Sequence, residues 1–229
     1  MIYSNYILKC SRKLMGGLTY KKEDIKIDDM ETITKNITII LDNGHGIDTP
    51  GKRSPVWTDG SQLFEYEFNR DVVSRIVKLL APYKIKTHVL VTEIESVPLN
   101  ERVNRINKIC NSDGAGNCLM ISIHSNAGGG TGWECFTTKN KTKSDEFAEI
   151  LYQEAEKMWA NDWKIRKDTT DGDSDKEENF TIIYGAKCPA VLIENFFMDT
   201  KRDCKYIMSN EGRDACAKVV LNAVLRWCS

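Results

Sequence analysis

The chain has 229 residues, against a rough 150 per domain, so one large domain is expected. Its 32 Lys and Arg against 33 Asp and Glu leave a net charge of -1, which removes any general pull toward nucleic acid or an anionic membrane surface. A hydrophobic share of 41% supports a sizeable core and excludes global disorder, and no run reaches the ~18 to 20 apolar residues of a membrane-spanning helix.

Residues 1–36 read as an N-terminal extension, polar and lysine-rich, with Gly16-Gly17 and no sustained hydrophobic period. The start, MIYSNYILKCSRKL, has no basic head before an unbroken apolar run and does not read as a signal peptide. Lys9, where a small residue is expected, argues against a lipid anchor on Cys10.

Order begins at Ile37. The run ITIILD predicts a buried strand that stops at Asn43-Gly44, followed by a Gly/Pro/Ser/Asp-rich loop to about Gly60. Phe64, Phe68, Val72, Val73, Ile76 and Leu80 recur at helical spacing until Pro82, and THVLVT (87–92) is the next strand. Leu99, Val103, Ile106 and Ile109 predict a second helix with one apolar stripe. CLMISIH (118–124) is again a compact strand breaking at small residues, and Trp133–Thr137 is a further strand candidate. A helix opens at Ser144 and runs to about Trp159, with Phe147, Ile150, Leu151 and Met158 inside. Residues 160–180 read as a solvated acidic lid or edge, before a strand at PAVLIEN (189–195) and a closing helix from about Glu211 to Trp227. Strands alternating with helices predict an α/β fold: a single domain with a mostly parallel twisted sheet and helices on both faces.

Eight cysteines without a C-x-x-C pair exclude a zinc ribbon or thioredoxin-type dithiol. Cys110 and Cys118 bracket NSDGAGN and could be bridged in an oxidising compartment.

Three strands end in residues suited to a metal hydrolase: Asp42-Asn43-Gly44-His45-Gly46, His124-Ser125-Asn126-Ala127 and Glu194-Asn195. In a parallel sheet all three tips emerge on one rim, where α/β proteins gather their functional residues. Of only three histidines, His45 and His124 sit at these tips, each followed by small residues, whereas His88 starts a strand and reads as structural. Catalytic zinc takes about three ligands from His and carboxylate and keeps one position open. Glu65 and Glu67 compete for the third place, and at about 100° per residue they lie some 200° apart, so only one faces the metal. Glu194 follows the apolar run AVLI, where a carboxylate must find a partner; beside an activated water it would act as general base and then general acid.

LDNGHG, the helix EYEFNRDVVSRIVKLL, SIHSNA and PAVLIENFFMDT together resemble the zinc-dependent N-acetylmuramoyl-L-alanine amidases of the type-3 amidase family. The resemblance spans roughly residues 37–228 and implies a zinc amidase catalytic domain over 37–229, cutting the amide between N-acetylmuramic acid and the L-alanine of the peptidoglycan stem peptide. It implies zinc held by His45, Glu65 (four residues before Asn69, which settles the choice against Glu67) and His124, with Glu194 as catalytic residue. Asn126 and Asn195 are candidate substrate contacts or loop braces. The chain departs from the family at Asn43 (commonly Pro), at the residue after Glu65 (usually Lys), and at Asn195-Phe196-Phe197 (a more glycine-containing step).

Some members carry a helix that plugs the zinc until an activator protein removes it; no second glutamate-bearing helix of that kind is evident here. The expected partner is peptidoglycan or a muropeptide, with no nucleic acid. The expected place of action is the bacterial cell wall, reached by an export route the sequence does not show or by lysin-type release from the cytoplasm. A zinc peptidase is the alternative enzyme. It would need an arginine near the metal, and nothing in the sequence points Arg53, Arg70, Arg102 or Arg105 there. A catalytically silent wall-binding module is the alternative from another class.

Overall fold

The computed structural model describes residues 34–229. The expected extension over 1–36, with Cys10, therefore lies almost entirely outside the described residues. At their edge the backbone N–H groups of Thr34 and Lys35 donate to the Cys228 carbonyl at 3.0 and 3.1 Å.

The elements run β1 (Thr38–Asn43), α1 (Glu65–Leu80), β2 (Lys86–Val89), α2 (Leu99–Asp113), β3 (Cys118–Asn126), β4 (Glu134–Thr137), α3 (Lys143–Trp159), β5 (Lys176–Glu177), α4 (Thr181–Tyr184), β6 (Ala190–Phe197), α5 (Lys201–Met208) and α6 (Asn210–Cys228). They form one six-stranded sheet in the order β2-β1-β3-β6-β4-β5. The four strands β2, β1, β3 and β6 are parallel, whereas β4 runs antiparallel to β6 and carries β5 beside it. The mostly parallel sheet is thus as expected, with a reversed edge.

The central strands are apolar on both sides because both faces are covered. Ile39, Leu41, Leu119, Ile121, Ile123, Val191 and Ile193 join one core with residues of α1, α3, α5 and α6. The alternate positions Ile40, Met120, Ala190 and Leu192 join a smaller core with Ile106 and Cys110 of α2 and Ile182 and Ile183 of α4.

Several expectations need correction. The strand expected over 87–92 is only Lys86–Val89, where its pairing with β1 ends at Leu41, and Leu90 and Val91 lie buried in the loop beyond it. Leu99 and Met158 are exposed, and the buried positions of α2 are Arg102, Ile106 and Cys110, so a charged residue heads the stripe. Helix α3 is opened by Thr142, whose side chain accepts from the Ser144 amide while Asp145 accepts from the Thr142 amide, a reciprocal cap two residues before Ser144. Of the expected lid or edge, residues 160–180 are the edge: most of them are exposed, but Ser174 and Asp175 are buried, Asp175 accepts a hydrogen bond from Thr137 at 2.6 Å, and the segment leads into edge strand β5. The closing helix is preceded by the separate α5. Cys110 and Cys118 are free, buried thiols. No helix among the described residues is long and apolar enough to cross a membrane.

Asp42, at the end of β1, and Arg102 form an ion pair at 2.8 Å with both side chains almost wholly buried. Removing one partner strands the other charge, a change that costs about 3–5 kcal/mol. Arg102→Met is expected to lower unfolding stability by roughly that amount in a urea titration; a loss within the experimental error would show that the pair does not anchor the strand end.

Candidate metal centre and active site

Strand β1 hands over to Gly44-His45-Gly46 directly against the end of β3. The Gly44 amide donates to the Ile123 carbonyl at 3.2 Å. A Cβ on Gly44 would stand 2.1–2.6 Å from the His124 ring, so only glycine lets the two strand ends approach this closely. His45 itself adopts a left-handed backbone with φ 63°, a conformation that a non-glycine residue holds only under external constraint. The constraint is visible: the His45 carbonyl accepts from Arg70 at 3.1 Å and Arg102 at 3.3 Å, and the Gly44 carbonyl accepts from Asn69 at 3.0 Å.

Helix α1 brings Glu65, at its first turn, to the two histidines. Glu65 Oε1 lies 3.1 Å from His124 Nδ1 and 3.4 Å from His45 Nε2, and the two imidazoles meet edge to face at 4.8 Å between centroids. One potential ligand atom from each of the three residues falls within 4.8 Å of the others. Glu67 shares no such contact; it accepts from Tyr66 at 3.0 Å.

Burial pushes the Glu65 carboxyl up, but the hydrogen bond to His124 and the proximity of both imidazoles outweigh it and hold the carboxyl below the usual range. At His45 burial prevails and lowers the pKa; at His124 burial also lowers it, yet Glu65 more than reverses the effect. His45 Nε2 and Glu65 Oε2 remain buried without a hydrogen-bond partner. Such orphaned atoms are costly, and a cation that takes lone pairs from both resolves them. Two imidazoles and a carboxylate form a donor set suited to a divalent metal with an open position.

Glu194 is paired in register with His124 across β6 and β3. Burial pushes its carboxyl up to about 7, with the charge of His124 pulling the other way, and its Oε2 has no partner. Just beyond it the ladder slips by one residue, His124 pairing with Glu194 but Asn126 with Phe197, and Phe196 takes φ 62° in the bulge. Asn195 is buried and its amide donates to the His124 carbonyl at 3.1 Å; Asn126 donates to Glu134 at 2.5 Å. His88 stays in β2, level with Ile40 and away from the strand tips.

Two neighbours escape the sequence reading. Glu134 of β4 sits opposite Glu194 in the antiparallel ladder and is held by Asn126, Arg166 (2.7 Å) and Lys176 (2.5 Å). The signal that exposed Glu194, a lone carboxylate in an apolar strand, was also present in Trp133–Thr137. Lys52 Nζ lies 3.9 Å from Glu65 Oε2, and only the fold brings this loop residue to the cluster.

Residues 39–226 match the family described as N-acetylmuramoyl-L-alanine amidase (Amidase_3). The chain is 26% identical over 191 residues to the N-acetylmuramoyl-L-alanine amidase CwlM of Bacillus licheniformis, covering 83% of this chain and 68% of that one. It is 26% identical over 185 residues to the sporulation-specific N-acetylmuramoyl-L-alanine amidase of Bacillus subtilis, covering 80% of this chain and 64% of that one. The crystal structure of N-acetylmuramoyl-L-alanine amidase from Clostridium difficile 630 has the same fold, with a TM-score of 0.69 at 23% identity over 85% of this chain and 97% of that one. The chain belongs to the N-acetylmuramoyl-L-alanine amidase family.

Proposed function

We propose that residues 37–229 form a zinc amidase domain that hydrolyses the bond between the lactyl group of N-acetylmuramic acid and the L-alanine of a peptidoglycan stem peptide. Family membership supplies the reaction class. The observation that carries the finer reading is the His45–Glu65–His124 cluster, which offers one potential ligand atom per residue within 4.8 Å of the others and leaves His45 Nε2 and Glu65 Oε2 buried and unsatisfied. In this reading those three residues hold the ion. When bound, zinc supplies Lewis acidity, making a water more acidic and drawing electron density from the scissile carbonyl.

The chain's own residues account for the proton traffic. Glu194 accepts the proton of the attacking water and returns it to the departing L-alanine nitrogen. A carboxyl whose burial raises it to about 7 suits both halves of that task at neutral pH. Glu134, directly across the ladder, is neutralised by Arg166 and Lys176, which leaves Glu194 as the carboxyl with an unengaged oxygen. Asn195 steadies the His124 backbone rather than facing a ligand.

One further feature bears on the peptidase alternative. Of the four arginines a peptidase could use, Arg70 and Arg102 are committed to backbone carbonyls and Asp42, and Arg105 to Glu93 and Glu101, which leaves Arg53 as the one whose guanidinium is unengaged among the described residues.

Purified peptidoglycan incubated with the zinc-loaded chain is expected to release peptides beginning at L-alanine, identified by mass spectrometry. Cuts only within the stem would turn the assignment to a peptidase. Glu194→Gln should lower the rate about 10² to 10⁴-fold while keeping its zinc, measured by elemental analysis; near-normal turnover would remove Glu194 from the proton path. Gly44→Ala displaces the His124 ring and should weaken zinc binding by about 10–100-fold in competition with a chelating dye. Unchanged affinity would separate that close approach from metal binding.

A further inference from the structure

Beside the metal cluster, at the start of α1, lies a cleft of about 250 Å³ whose walls include Ile47, Asp48, Lys52, Arg53, Phe64 and Tyr66. Its volume falls just under the ~300 Å³ of the smallest typical ligand pockets, so it suits part of a larger substrate. Its charge is unbalanced. Lys52 has one carboxylate contact, at 3.9 Å to Glu65, and its side chain is 43% exposed. No ion pair or side-chain hydrogen bond engages the guanidinium of Arg53 among the described residues, while Asp48 already accepts from the Ser96 amide at 2.6 Å.

These cations are not on a loose loop. The Lys52 carbonyl accepts from the Glu65 amide at 3.1 Å, Arg53 bridges Phe64 in antiparallel fashion, and Ser54 donates to the Leu63 carbonyl at 2.9 Å. The loop is thus tied to the segment that delivers Glu65. The positive charge of Lys52 also reaches Glu194 and His45.

We propose that this cleft is a specificity subsite in which Lys52 and Arg53 bind a carboxylate of the stem peptide, the one on the residue that follows L-alanine. The inference rests on the amidase reading above. Because successive residues are spaced ~3.8 Å apart, a carboxylate one residue beyond the scissile amide falls within reach of a cation set directly against the metal cluster. Placed by backbone pairing, the two cations bind it at little ordering cost, and the apolar walls of Ile47 and Phe64 take up the peptide's aliphatic part.

Two synthetic substrates test this. In one, N-acetylmuramoyl-L-alanyl-γ-D-glutamyl-L-lysine, the glutamyl α-carboxylate is free; in the other it is a carboxamide. The wild type is expected to favour the carboxylate by roughly tenfold in kcat/KM, chiefly through KM, as expected for a charge-assisted contact. In the double variant Lys52→Gln, Arg53→Gln that ratio should collapse to about one. A wild type that treats both substrates alike, or a variant that keeps the preference, overturns the proposal. Calorimetric titration with the free tripeptide L-alanyl-γ-D-glutamyl-L-lysine gives a readout independent of turnover: the double variant should bind roughly tenfold more weakly, and equal binding overturns the subsite. Should the wild type cleave neither substrate, the amidase reading falls, and the titration still decides whether the cleft takes the carboxylate.

Discussion

The site depends on one buried guanidinium. Arg102 reaches from α2 under the end of β1 and spends its donors on the Asp42 carboxylate and on the carbonyls of Val97, Asn43 and His45. Ser122 of the neighbouring strand donates to the other Asp42 oxygen at 2.6 Å. Buried charges of this kind are poor sources of net stability but strict geometric constraints, because any shift leaves a charge uncompensated. Here the constraint lands on the carbonyl of a residue in left-handed conformation. Arg70 grips the same carbonyl from α1, so His45 is held in a strained backbone by two helices. The strain is local and the support is distributed, as expected where a side chain must be aimed rather than merely accommodated.

Topology does the rest of the positioning. β1, β3 and β6 are parallel neighbours, which sets their tips side by side, and the antiparallel β4 then lays Glu134 against Glu194. Two carboxylates in one register pair would repel if both were bare. The fold gives them opposite environments: Glu134 receives two cations and an amide, and Glu194 receives burial. One carboxylate is held in ion pairs and the other is lifted by burial, an asymmetry that environment alone imposes on paired acids and on which the proposed proton role of Glu194 rests.

The central elements were legible because their signals are local. Ile39–Leu41, Leu119–Ile123 and Val191–Ile193 are unbroken apolar runs, and α1 carries its period in Phe68, Val72, Val73 and Ile76. His45, His124 and Glu194 stood out as polar residues at the ends of such runs, whereas Glu65 was preferred to Glu67 only through the family resemblance, and the structure sets Glu65 against both histidines. What stayed hidden depends on distant partners. Asp175 looks solvated in sequence and is buried because Thr137 reaches it. Leu99 looks like core, but the α2 stripe is turned by Arg102 seeking Asp42. Glu65 and Glu67 differ only in which side of the helix meets the histidines.

Phe196 shows how a departure from family pattern reads in three dimensions. The bulge after Glu194 needs a left-handed residue, the conformation glycine adopts at no steric cost. This chain places a phenylalanine there, and its ring is wholly buried among Trp159, Trp163 and Tyr206 at centroid distances of 4.9–5.1 Å. Ring burial of this size, worth on the order of 1.5–3 kcal/mol, is comparable with the ~1–3 kcal/mol that such backbone strain costs. The aromatic cluster therefore does a glycine's work by force of packing. It also couples the bulge beyond Glu194 to α3 through Trp159 and to α5 through Tyr206. The residues at the rim are in this way held from beneath, by Arg102 on one side of the sheet and by Phe196 on the other, while backbone pairing ties the loop carrying Lys52 and Arg53 to the segment that delivers Glu65.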